Sequence, residues 1–178
     1  MGLHPIPAEL SADQIMFAPG EGPEHPDLVA ILALWNEKRG NRSMPDRQDI
    51  TPRDMKAYLD QVQLYEVIDG GNDFRIRLMG SDFCRTMGYD PTGQYVSQLT
   101  DPVLQERVRS AAHRVVETGC PVRTAASAVA MSRVGYRRIE RILLPLGSGN
   151  EVTHILCQAV RIDRLPPKSD PHCALTPV

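Results

Sequence analysis

The sequence predicts an α+β domain: one sheet of five antiparallel strands, helices packed on one face, and a helical cap at the N-terminal end. Three observations carry that expectation. Two strand-like runs meet at a Gly-Gly turn near residue 70, three more fill the last third, and a long amphipathic helical pattern separates the groups. The 178 residues fit one domain, and 42% apolar with 24% charged residues is an ordinary globular balance.

The elements follow in order. Residues 1–26 carry Pro5, Pro7, Pro19, Pro23 and Pro26 with Gly20 and Gly22, and read as a proline-rich arm outside the core. From Asp27, the helical spacing of Leu28, Ile31, Leu32 and Trp35 predicts a helix over 27–39, capped by Asp27 and ended by Gly40. Thr51-Pro52 predicts a second, short helix over 52–59 with Thr51 as its cap. Residues 62–68 and 74–79 are strands joined by Asp69-Gly70-Gly71-Asn72, with Phe74, Ile76 and Leu78 facing the core and Arg75 and Arg77 facing away. A short helix over 81–87 closes at Gly88, and turns dominate 89–99. The long helix starts at Asp101-Pro102, presents Leu104, Val108, Ala111, Ala112, Val115 and Val116 as its apolar stripe, and stops at Gly119. Strands over 120–131, 135–146 and 152–162 complete the domain, which spans 27–162, and 163–178 reads as a disordered tail.

Charge and cysteine usage exclude several classes. Net charge is −2, and the clusters Arg107/Arg109/Arg114 and Arg133/Arg137/Arg138/Arg141 have Glu106, Glu117 and Glu140 among them. No basic stripe forms, so nucleic acid is not an expected partner. The longest mainly apolar stretch, 29–35, is far too short to span a membrane, and the first ten residues lack a secretory pattern, so the protein is expected to act in the cytoplasm. Cys84, Cys120, Cys157 and Cys173 contain no Cys-x-x-Cys pair and read as reduced thiols.

The order of elements, with helices inserted after the second strand, resembles a PAS domain. More closely, the chain resembles a PAS-like family of small stand-alone bacterial proteins. The resemblance spans about 28–162 and rests on 34–40 (Leu-Trp-Asn-Glu-Lys-Arg-Gly), 44–47 (Met-Pro-Asp-Arg), 74–80 (Phe-Arg-Ile-Arg-Leu-Met-Gly), 88–93 (Gly-Tyr-Asp-Pro-Thr-Gly) and 140–146 (Glu-Arg-Ile-Leu-Leu-Pro-Leu). It implies a sensory or regulatory fold, transfers no catalytic residues and names no cofactor.

Candidate chemistry points the same way. His113 lies on the long helix, where some PAS proteins carry a haem-ligating histidine, but its neighbours Arg109 and Glu117 put it on the polar stripe, so a ligand role is not expected. Cys84-Arg85 only echoes a flavin-attachment motif. The glycine pairs lie in hairpins, not at helix starts where phosphate binds, and no Gly-x-Ser-x-Gly elbow exists. A non-enzymatic signalling module is therefore expected, working through a homodimer, a signalling protein partner or a weakly polar small molecule. Alternatives are a carrier or enzyme using the same cavity, and a ligand-free docking scaffold. The expected ligand lining, between the core face of the sheet and residues 80–116, is Phe74, Ile76, Met79, Phe83, Met87, Leu99, Val108 and Ala112. Trp35 and Arg39, one turn apart, form either a core pair or a self-association surface.

Overall fold

The computed structural model describes residues 14–16, 22–127 and 138–162. Most of the arm, the expected join at 134–135 and the expected tail at 163–178 lie outside the described residues. Helix α1 (Pro26–Arg39) buries Leu28, Ile31 and Trp35, as their spacing predicts. Its cap is His25, not Asp27: the His25 Nδ1 accepts the Asp27 N–H at 3.2 Å. Pro26 occupies the first helical position, so the capping role falls to the residue before it.

The expected helix over 52–59 is instead a run of turns with a single 3-10 turn at Lys56–Tyr58. The Asp54 carboxylate accepts both the Thr51 N–H (2.8 Å) and the Thr51 hydroxyl (2.6 Å). The Thr51 hydroxyl is thus a donor within a tight turn and cannot cap a helix. Strands β2 and β3 (Val62–Ile68 and Asp73–Met79) then form the expected hairpin, but a register shift between Leu64 and Tyr65 pairs Leu78 with Leu64 and so turns Leu78 to the face opposite Phe74 and Ile76. Its Asp69–Gly71 turn holds three successive positive φ angles, of 47°, 67° and 104°, which two glycines make accessible.

Helix α2 (Ser81–Met87) closes at Gly88, and α3 (Pro102–Thr118) closes at Gly119 after Asp101 has capped its start through the Val103 and Leu104 N–H groups. Strands β4 (Val122–Ser127), β5 (Arg138–Ser148) and β6 (Glu151–Ile162) follow. The five expected strands are antiparallel neighbours in the order β4-β5-β6-β2-β3. A sixth comes from the arm: β1 (Gln14–Met16) pairs along the outer edge of β4, using an edge whose backbone groups would otherwise lack partners.

Strand register assigns the two faces of the sheet. Tyr65 lies opposite Ile76 and Ile155, and Ile155 lies opposite Pro145. These residues therefore share one face with Phe74, Arg141, Leu143 and Cys157. This inner face is covered by α3, whose His113 ring meets Phe74 edge-on at 5.4 Å between centroids. Glu140, Ile142 and Leu144 point to the outer face, where α1 packs across β5 and β6. With both faces covered, β5 is buried without alternation from Ile139 to Gly147.

Candidate functional site

Three elements bring most of the expected lining together over the inner face. Phe74 and Ile76 of β3, Leu99 after the 3-10 turn Val96–Gln98, and Val108 and Ala112 of α3 belong to one buried core cluster. Met79 and Met87 are half-buried against it. Phe83 is buried outside that cluster, with the Arg161 guanidinium 5.7 Å from its ring centroid. The wall opposite the sheet between β3 and α3 is made of α2 and turns, held by few long elements. Cys84 sits in this wall, its thiol on the Met79 carbonyl at 3.6 Å, and burial pushes its pKa up.

Beside the apolar cluster, the inner face carries a polar row that the sequence reading missed. Gln63 and Tyr65 of β2, Cys157 of β6, Arg141 of β5 and Thr124 of β4 are all buried. Gln63 lies opposite Cys157, and Arg141 opposite Thr124. The Tyr65 hydroxyl donates to Gln63 Oε1 at 2.7 Å, and Arg141 Nε donates to Thr124 Oγ1 at 3.2 Å. The Gln63 Nε2 atom is buried with no hydrogen-bond partner. Burial drives the Tyr65 hydroxyl far above its ordinary pKa, and the neighbouring Cys157 adds to this while Arg141 opposes it. Burial likewise pushes Cys157 up to about 11 against the pull of Arg141. Both groups stay neutral, and the guanidinium is the one formal charge of the row.

The sequence did hold a signal for this row. Arg141 alternates with Ile139 and Leu143, and Gln63 with Tyr65 and Val67, so each shares a face with apolar neighbours. Grouping Arg141 with a surface cluster of arginines hid that alternation; it is only 7% exposed.

On the outer face, Glu140 is fully buried and anchors the start of α1. It accepts from the Glu24 N–H (2.9 Å), the His25 N–H (3.2 Å) and Arg123 Nε (2.6 Å). Burial alone would raise its pKa, but these donors outweigh it and hold the carboxyl below its ordinary value. Trp35 is 3% exposed and donates from Nε1 to the Pro145 carbonyl at 2.8 Å, with the Arg39 guanidinium 5.4 Å from its ring centroid. The ring thus packs on its own sheet, and the exposed large apolar residue of α1 is Val29.

Among the described residues, no group of three or more His, Cys, Asp or Glu side chains could hold a metal ion, and no helix is long and apolar enough to cross a membrane. A family model described as PAS domain matches residues 23–158 of the chain. Searches of curated proteins and of solved structures return no match.

Proposed function

Because this chain belongs to the PAS domain family, a family of sensory and regulatory modules, we propose that it is a cytoplasmic sensor that binds a small molecule at the inner face of its sheet. The observation that carries this is the polar row of Gln63, Tyr65, Cys157, Arg141 and Thr124, buried on the inner face of the sheet beside an apolar cluster. A purely structural core gains nothing from an unpartnered amide and a guanidinium in such a place. The lining of the site is Phe74, Ile76, Met79, Met87, Leu99, Val108 and Ala112, joined by the polar row, with Phe83 outside that cluster. Occupancy shifts the wall over residues 80–99, and the response passes to a signalling protein or to a second copy of the chain, without turnover.

A second reading, a docking module with no ligand, is favoured by the full burial of Phe74, Ile76 and Ala112 within the core. One experiment separates the two. Small molecules released on denaturing the purified full-length chain are identified without bias, alongside native mass spectrometry of the intact protein. The sensing reading expects a released compound and a matching mass increment; a bare chain mass with nothing released supports docking.

A further inference from the structure

We propose that the inner face recognises a small monocarboxylic acid with an apolar body, its carboxylate held by Arg141 and by the Gln63 amide. This deepens the sensing reading above and rests on it.

The argument begins with the charge of Arg141. A guanidinium is never deprotonated in a protein, so burial forces it to find an anion or a full set of acceptors. Among the described residues its side-chain hydrogen bond is to the Thr124 hydroxyl, through Nε, and no described carboxylate lies within ion-pair distance. The adjacent acid, Glu140, is the next residue along the strand and points to the opposite face, where Arg123 and two backbone N–H groups take it up.

Gln63 supplies the second observation. It is 2% exposed, and the Tyr65 hydroxyl occupies its carbonyl oxygen, which leaves Nε2 as a buried donor with nothing to bond. Arg141 lies close enough to act on both Tyr65 and Cys157, the residue paired with Gln63 across the sheet. Tyr65 and Cys157 remain neutral beside them. The row therefore presents donors and one positive charge, which matches a carboxylate: acceptor-only, planar and able to take a guanidinium through two oxygens. A phosphate dianion fits poorly, because one guanidinium would leave a second charge buried without compensation. Phe74, Ile76, Leu99 and Val108 receive the apolar body. The expectation of a weakly polar ligand is thereby narrowed to a molecule apolar over most of its surface and anionic at one end.

The test uses the full-length chain, stripped of small molecules by unfolding and refolding. Thermal unfolding and calorimetric titration compare benzoate and hexanoate with their uncharged analogues, benzamide and hexanamide, and with inorganic phosphate. The expected result is stabilisation by at least one carboxylate and by neither amide nor phosphate. Arg141→Met should weaken carboxylate binding about 30-fold or more, the effect of removing one partner of a buried charge pair. The same change should leave the stripped protein as stable or more so, since it removes an uncompensated buried charge. Gln63→Leu, nearly isosteric, should weaken carboxylate binding while leaving the fold intact, and covers the case in which Arg141→Met fails to fold. Equal responses to acids and amides, no response to any probe, or undiminished carboxylate binding by both variants would overturn the assignment. An uncharged compound released from the purified protein would also overturn it while leaving the sensing reading standing.

Discussion

Glu140 and Arg141 are neighbours in β5, and strand geometry sends them to opposite faces. Each is buried, but only Glu140 has its charge balanced by a described partner. Sequence reasoning reached Phe74 and Ile76 because only one side of β3 is apolar, so alternation reveals the face. Alternation gave Arg141 apolar company on its face, but it could not say which face was which, since the covered strand β5 is apolar on both sides. The Glu140 bonds make a pH prediction. A carboxyl whose folded pKa is depressed contributes stability above its unfolded value, near 4.5, and loses it as pH falls through the lower folded value. Glu140→Gln should therefore cost about 3 kcal/mol near neutrality, where it breaks a buried pair with Arg123, and the gap to wild type should narrow below about pH 4.5. Urea titrations across pH check this; a gap that stays constant down to pH about 3 would remove Glu140 as the anchor.

At the scale of elements, the helices with both a cap and an apolar stripe were legible, and those defined by side-chain rivalry were not. Helix α3 stands where Asp101, the stripe and Gly119 put it. The segment 52–59 misled because Thr-Pro is a helix-start signal, yet Asp54 captured both donors of Thr51 and closed a turn first. The pairing of β1 was hidden by the surrounding prolines, since it depends on a distant edge and not on local composition. The junction of β3 and α2 is tightly constrained. Gly80 donates its N–H to the Val62 carbonyl at 2.8 Å, and a Cβ there would stand 2.3 Å from the Asp60 carbonyl oxygen and 2.9 Å from that of Val62. Gly80→Ala must push α2 away from the start of β2, costing ~2 kcal/mol or more. Chemical denaturation checks this; a loss below ~0.5 kcal/mol would show that the junction yields without strain.

In the whole molecule, α1 covers the outer face of the sheet while α2, the turns and α3 cover the inner one, so the two sides can serve different purposes. We assign the outer side to self-association. Val29 projects from α1 at 48% exposure, and β1 lies at the far edge of the sheet. Light scattering at tens of micromolar should give twice the chain mass, and Val29→Asp should reduce it to one; a monomeric wild-type chain would end the proposal. We propose the inner side as the sensor, and hydrogen exchange on the full-length chain, as purified and after stripping by unfolding and refolding, tests that assignment most directly. The account predicts that stripping speeds exchange across residues 80–99 and in β3 while α1 keeps its protection. Unchanged exchange over 80–99, with a bound compound demonstrably removed, would contradict it.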